Sequence, residues 1–176
     1  HRPQRALKNF QTALEKFPRS ELANDARFGS ARCHEQLKHY PQAIEIYGQL
    51  AANRSGSRAA EAHMNLAAVY FDTGKFLEAA EAYGEFRQLF PKSSQGSHAR
   101  LNSGYAYYEL GAYVKAITQF ELAEKNKQFV ATAGYWKGVS LKLLSRYSEA
   151  ATALEAAFKT AGKNPLLGEI QFQWAD

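Results

Sequence analysis

The sequence predicts an all-α fold, an α-α superhelix of antiparallel helix pairs with about 10 helices. Three observations predict it. Alanines recur at Ala6, Ala43, Ala79, Ala116 and Ala150, spaced 37, 36, 37 and 34 residues apart. Around two of them the string Gly, one residue, aromatic, two residues, Ala, three residues, aromatic is repeated without a gap, from Gly74 to Tyr83 and from Gly111 to Phe120. Small residues also recur before the last four alanines, at Ala31, Ala67, Gly104 and Gly138. A repeat of this length is one supersecondary unit that buries its apolar face only by stacking on neighbours.

The second helix of each pair carries the alanines. Four residues after each stand Phe10, Tyr47, Tyr83, Phe120 and Leu154, and seven after stand Ala13, Leu50, Phe86, Ala123 and Ala157. Three before the last four stand Tyr40, Phe76, Tyr113 and Tyr147. These offsets lie on one face of a helix of 3.6 residues per turn. Small Ala lets a neighbouring helix approach, and the bulky side chain one turn later fills the space beyond it. The first helix of each pair carries the other small residues, followed three positions later by His34, Tyr70, Tyr107 and Leu141. Small residues facing small residues are expected to close the pair.

The elements follow in order. Residues 2–17 form the second helix of a first repeat; pairs follow at about 20–37 with 40–53, 58–73 with 76–89, 95–110 with 113–126, and 129–144 with 147–160; a last helix spans about 165–175. The whole is one domain, 1–176, made of a half repeat (1–19), repeats at about 20–56, 57–93, 94–128 and 129–162, and a terminal helix, 163–176. Gly74 and Gly111 fall between the helices of a pair, where a left-handed residue ends a helix. Pro41 falls in a first turn, where its missing N–H costs little. In Phe17-Pro18-Arg19-Ser20 and Phe90-Pro91-Lys92-Ser93 the prolines end second helices, and the serines are expected to cap the next helix.

These residues resemble the tetratricopeptide repeat family, whose pattern places small residues, Gly, Tyr, Ala, an aromatic, Ala and Pro at the same relative positions. The resemblance covers nearly the whole chain. It departs where the family's first-helix Trp is missing (Trp136 lies close to its position), where Ser55, Gln128 and Gly162 replace the terminal Pro, and in spacings of 36 or 37 residues rather than the usual 34.

Composition limits function. The 176 residues are 45% hydrophobic and 22% charged, as in globular chains. Mean hydropathy is −0.47, and no apolar stretch approaches the roughly 20 residues of a membrane span. The first residues, His1-Arg2-Pro3-Gln4, fall inside a repeat, so the chain reads as a piece of a longer protein. Cys33 is the single cysteine, which excludes an internal disulfide and a thiolate zinc cluster and fits a small buried hydrophobe. Net charge is +5, yet Lys and Arg never form a run of four, a weak pointer to nucleic acid. Cys33 and His34 are adjacent and so point about 100° apart on a helix. The histidines at 1, 34, 39, 63 and 98 lack ligand spacing. Glu78, Glu81 and Glu85 share a solvated face, and Gly134 and Gly138 sit within a helix, where they allow close packing. No catalytic residue, metal or cofactor is expected.

The resemblance implies that first helices line a concave groove, at positions 18, 15, 11, 8 and 7 residues before each alanine. These are Asp25, Phe28, Arg32, Glu35 and Gln36; Glu61, Met64, Ala68, Phe71 and Asp72; His98, Leu101, Tyr105, Tyr108 and Glu109; and Thr132, Tyr135, Val139, Lys142 and Leu143. Family members that clamp a C-terminal carboxylate of Hsp70 or Hsp90 use Lys and Asn at the second and third positions. Here those positions hold Phe28/Arg32, Met64/Ala68, Leu101/Tyr105 and Tyr135/Val139, so no such clamp is expected. Phe28, Arg32, Met64, Phe71, Leu101, Tyr105, Tyr108 and Tyr135 are instead the expected partner-binding set, an apolar and aromatic strip with an acidic edge suited to a protein helix or extended peptide. The alternative for each ring is packing on the neighbouring repeat. Self-association is a second reading, since open ends and a final helix bearing Leu166, Leu167, Ile170, Phe172 and Trp174 can cap the stack or pair with another chain. RNA-reading helical repeats need polar base readers at groove positions that here are apolar. A looser resemblance to bacterial envelope scaffolds implies a periplasmic or outer-membrane-associated setting, with a cytoplasmic scaffold as the alternative.

Overall fold

In a computed structural model, which describes residues 2–162 and 164–175, the chain forms ten helices and no strand among those residues. They are α1 (Arg2–Lys16), α2 (Ala23–Gln36), α3 (Tyr40–Ala52), α4 (Ala59–Asp72), α5 (Phe76–Leu89), α6 (Gly96–Glu109), α7 (Tyr113–Ala123), α8 (Val130–Leu143), α9 (Tyr147–Ala161) and α10 (Leu167–Ala175). Bounds match the sequence reading to within three residues. The ends of the expected terminal segment, residues 163 and 176, and His1 lie outside the described residues. The chain divides into two compact units, one ending at Phe90 and the other beginning at Pro91. Within each, every helix packs on its chain neighbours.

The turns inside the pairs share one geometry. Gly74 and Gly111 take positive φ, and so do Lys38 and Ser145, each five residues before its alanine. In all four turns the left-handed residue's N–H bonds the carbonyl three residues back and the next N–H reaches the carbonyl five back, as in Gly74→Phe71 and Lys75→Tyr70 or Ser145→Lys142 and Arg146→Leu141. This pair of hydrogen bonds satisfies orphan carbonyls of the helix end. The sequence betrayed it only where Gly stood; a left-handed Lys or Ser carries a steric cost of roughly 1–2 kcal/mol that the paired hydrogen bonds offset.

The turns between pairs differ from expectation in one respect. Ser20 and Ser93 do not cap a helix: their Oγ atoms accept from the N–H groups of Leu22 and Gln95, two residues on. Asn126 and Asn164 do the same for Gln128 and Leu166. A short side-chain acceptor thus closes a local turn before the helix begins, which moves the starts of α2 and α6 to Ala23 and Gly96.

The core follows the repeat. Ala43, Ala79, Ala116 and Ala150 are buried, as are Tyr47, Tyr83, Phe120 and Leu154 one turn on. The first helices, however, present their small residues to large ones. A Cβ built on Gly104 would lie 2.5 Å from Cε1 of Phe120, and one on Gly138 would lie 2.5 Å from Cγ of Leu154. Glycine therefore makes room for the bulky side chain itself, a knob in a hole, rather than for another small residue. At the start of the chain α1 buries no residue completely, but its Phe10 ring packs on Gly29 of α2. At the other end α10 packs on α9 through Ile170, which is fully buried beside Ala131, Ala157 and Ala161, and through a Phe158–Trp174 stack at 5.4 Å. Phe172 stays exposed.

Candidate functional site

In the first unit Phe28 sits on α2, half-buried, with its ring 5.6 Å from that of Tyr47. Tyr47 is fully buried and its hydroxyl is satisfied twice, donating to Glu35 at 2.8 Å and accepting from the Asn65 amide at 3.2 Å. Burial, then Glu35, push the Tyr47 phenol well above its ordinary pKa. Over the Phe28 face, at 5.4 Å, lies the guanidinium of Arg58, which also bonds Asp25 at 2.6 Å and Glu61 at 3.2 Å. Two residues of the expected acidic edge, Asp25 and Glu61, are thus engaged by the chain's own arginine. Arg32 is exposed one turn along α2, Met64 is half-buried on α4, and the Phe71 ring packs at 5.3 Å on Phe76 of its own pair.

The second unit gathers its aromatic side chains more tightly. Leu101 is buried in the core with Ala116, Phe120 and Phe129 and leaves little surface for a partner, unlike the half-buried Phe28, Met64 and Tyr135 of the same column, which corrects its place among the expected groove residues. Tyr105, Tyr108 and Tyr135 are half-buried and converge on Trp136, with ring centroids at 5.4, 5.0 and 5.3 Å and steep edge-to-face angles. Tyr113 adds a fifth ring, 5.7 Å from Tyr108. Edge-to-face pairs of this kind hold each other rigid while leaving polar tips free. Burial pushes the Tyr105 phenol up to about 12, with the neighbouring Trp136 indole acting the other way. Tyr108 is raised by burial, then by Tyr113, Glu109 and Tyr135; Tyr135 is raised by burial, then by Glu169 of α10. All three stay protonated at neutral pH, as hydroxyl donors on apolar walls.

Three of the four residues 18 before the alanines make contacts between repeats. Asp25 is held by Arg58, His98 packs edge-on against Phe129 at 4.5 Å, and Thr132 accepts from the Asn164 amide at 3.2 Å. In each case the turn leading into the next first helix reaches back to the preceding one, so these positions seal seams between repeats. The sequence reading missed Trp136 and Arg58. Trp136 stands 14 before its alanine, where Gly29 and Asn65 also touch the preceding repeat, at Phe10 and Tyr47; comparing that column would have found it. Arg58 precedes the aligned columns, and nothing local marks it.

Cys33 is buried, which raises its thiol pKa despite Arg32, and burial, then His39, depresses His34. An open hollow of about 320 Å³ between α7, α8 and α9 is lined by Glu121, Lys137, Arg146 and Glu149; Lys137 is engaged by Glu124 and Arg146 by Glu149, each at 2.6 Å. Among the described residues no three His, Cys, Asp or Glu side chains gather to hold a metal, and no helix is long and apolar enough to cross a membrane.

Helical hairpins of similar length that share a turn and a core register, stacked in chain order within each unit, define an α-helical repeat protein. The sequence profile of the tetratricopeptide repeat matches residues 1–57, 38–94 and 69–131, and the chain belongs to that family. Its repeats characteristically serve as protein-interaction scaffolds without chemistry of their own. Solved structures agree on the fold. BtubC from P. vanneervenii superposes with a TM-score of 0.76 at 18% identity, covering 93% of this chain and 75% of that one. MamA gives 0.75 at 18% identity over 89% of this chain and 87% of its own. The TPR2AB domain of yeast Sti1, solved in complex with pHSP90, gives 0.61 at 16% identity over 99% and 78%. Among curated proteins no sequence matches significantly.

Proposed function

We propose that this chain is a non-catalytic scaffold that holds a helix or extended segment of a protein partner on the first-helix faces of its repeats. The observation that carries the reading is the ring cluster of the second unit. Three tyrosines and a tryptophan stay half-open on successive first helices, α6 and α8. Rigid, amphipathic rings lose little entropy on binding and dominate interface energetics. The partner's terminus is not an acidic Hsp90-type tail: the clamp columns hold Phe28/Arg32, Met64/Ala68, Leu101/Tyr105 and Tyr135/Val139, and Leu101 is buried. The likeness to the Sti1 domain therefore extends to the scaffold and stops short of its ligand. A periplasmic or outer-membrane-associated setting is part of the same proposal.

The test is selection of a displayed 12-residue peptide library on the intact chain, followed by titration of selected peptides against Tyr108→Ala and Tyr135→Ala variants with unchanged circular dichroism. Loss of binding by about tenfold or more, the range of an interface hot spot, supports the reading. Selected peptides that ignore both substitutions, or variants that never fold, count against it. Association between copies is a second reading, favoured by Leu110, Val114, Leu143 and Tyr147, all exposed near the turns inside two successive pairs. Mass measured by analytical ultracentrifugation across a concentration series separates a monomer from a dimer.

A further inference from the structure

The last helix is seated as a first helix. Trp174 stacks on Phe158 of α9, as its counterpart Lys137 meets Glu124 of α7. Gln173 takes the Lys142 ammonium at 3.2 Å, as its counterpart Trp136 meets Tyr108 at 5.0 Å. Ile170 is buried where Ala133 is buried. Each of these counterparts lies 37 residues away along the chain, and so Phe172 answers to Tyr135. Phe172 is 68% exposed. The second unit therefore carries open or half-open rings on three successive first helices, with Tyr105 and Tyr108 on α6, Tyr135 and Trp136 on α8, and Phe172 on α10. We infer that this strip is a receptor for a proline-rich segment in the polyproline II conformation, an inference that rests on the proposal that first-helix faces bind a protein partner.

Spacing is the first argument. Neighbouring helices that touch through large side chains lie about 8–10 Å apart. A polyproline II helix rises about 3.1 Å per residue with three residues per turn, so it returns the same face every 9 Å or so. Prolines three apart thus meet one first helix after another. A β-strand alternates its faces, so its same-face side chains fall about 6.7 or 13 Å apart and miss this period. Charge distribution is the second argument. Aromatic faces are electronegative, and the prolyl C–H groups beside the amide nitrogen carry partial positive charge. Tyr105, Tyr108 and Tyr135 keep their protons at neutral pH, and their hydroxyls donate. A polyproline II segment has no internal hydrogen bonds, so its carbonyls are free to accept, and its prolines bring no N–H to an apolar wall. An α-helix can match the spacing through residues seven apart, but its carbonyls are spent within the helix and leave those hydroxyls unanswered. Rings that hold one another edge to face, at 5.4 Å for Tyr105–Trp136 and 5.3 Å for Tyr135–Trp136, leave clefts between their planes for a flat pyrrolidine. Aromatic-lined grooves take such segments because little entropy remains to be lost.

The probe is end-blocked nona-L-proline, three turns of the ligand helix. It is titrated against the intact chain carrying Trp174→Phe, so that Trp136 fluorescence reports the site. Nona-D-proline has the same composition and the opposite hand, and a glycine-serine peptide of equal length lacks the rings. Nona-L-proline should bind about tenfold or more tightly than either control. Phe172→Ala removes an exposed ring and leaves the fold intact by circular dichroism, and it should weaken binding about fivefold, the scale of one ring contact. Tyr135→Phe keeps the ring and loses the donor, and it should also weaken binding about fivefold, the scale of one hydrogen bond. Equal binding of the two enantiomers overturns the inference, and so does binding that ignores both substitutions. If nona-L-proline fails to bind while display-selected peptides bind and are lost on Tyr108→Ala, this inference falls and the scaffold reading stands. Absence of any Tyr108-dependent binder takes down both.

Discussion

Gly104 is where the packing can be tested with one methyl group. Phe120 is fully buried, its Cε1, Cδ1 and Cζ atoms stand 2.5, 2.7 and 3.0 Å from where a Cβ would sit, and the Tyr105 ring is close to it at 5.7 Å. Contact carbons prefer about 3.5–4.0 Å, so the ring must withdraw by about 1 Å into a filled core. Overpacking of this kind costs about 1–3 kcal/mol. Against it, Gly→Ala within a helix gains about 1 kcal/mol. The net for Gly104→Ala is a loss of about 1 kcal/mol, with the opposite sign from Gly84→Ala, where nothing lies within 4 Å and the gain of about 1 kcal/mol stands alone. Urea unfolding followed by Trp136 fluorescence reads the second unit, and circular dichroism reads both. Phe120→Leu removes the colliding ring edge, so in that background Gly104→Ala should become neutral or stabilising, a coupling that additive sites do not show. If Gly104→Ala raises the urea midpoint in the parent chain, the ring-in-glycine account of the helix pair is wrong.

Four further outcomes rest on the same geometry. Tyr47→Phe strips a buried hydroxyl of one donated and one accepted bond and should cost about 1–2 kcal/mol by chemical denaturation; an unmoved midpoint would show that the Glu35–Tyr47–Asn65 network contributes nothing net. Lys38→Gly relieves a left-handed lysine on the surface and should gain about 0.5–1 kcal/mol, the steric relief less the entropy of the added glycine; a loss would contradict the turn assignment. His63 is buried beside Phe90, and burial depresses its pKa while Glu85 and the Ala51 backbone oppose and Arg54 assists. The neutral ring is favoured in the fold, so stability should be full above the ordinary histidine pKa of about 6.5 and decline as pH falls below it; melting curves between pH 7 and 5 that are as flat in the parent as in His63→Leu would refute this. Tyr105 is raised to about 12, so its protonated form is favoured in the fold, and stability should hold up to about pH 10 and fall as pH rises toward 12; Tyr105→Phe should lessen that alkaline slope.

The period of the fold was legible because a repeat states its core several times over. Each buried column, such as Ala43, Ala79, Ala116 and Ala150, is read against its own copies, and chance agreement is rare. Turn conformation was legible only in part. Gly74 and Gly111 announced it, but Lys38 and Ser145 adopt the same φ because the chain must double back there whatever residue it carries. The groove was read at the level of positions and not of exposure. Tyr105, Tyr108 and Tyr135 came out together on half-open helix faces, while Leu101 went inward and Asp25, His98 and Thr132 were drawn into seams. Such outcomes depend on side chains some 30 residues away, and no local pattern encodes that distance.

The seams bear on how this chain can change. Arg58 meets Asp25 by charge, Phe129 meets His98 by ring edge, and Asn164 meets Thr132 by amide and hydroxyl. Each junction recognises only its own neighbour. Exchanging the third repeat with the fifth would set Phe129 against Asp25 and Arg58 against His98. Repeats that arose as copies have in this way become keyed to their places, and their order is fixed by chemistry as well as by descent.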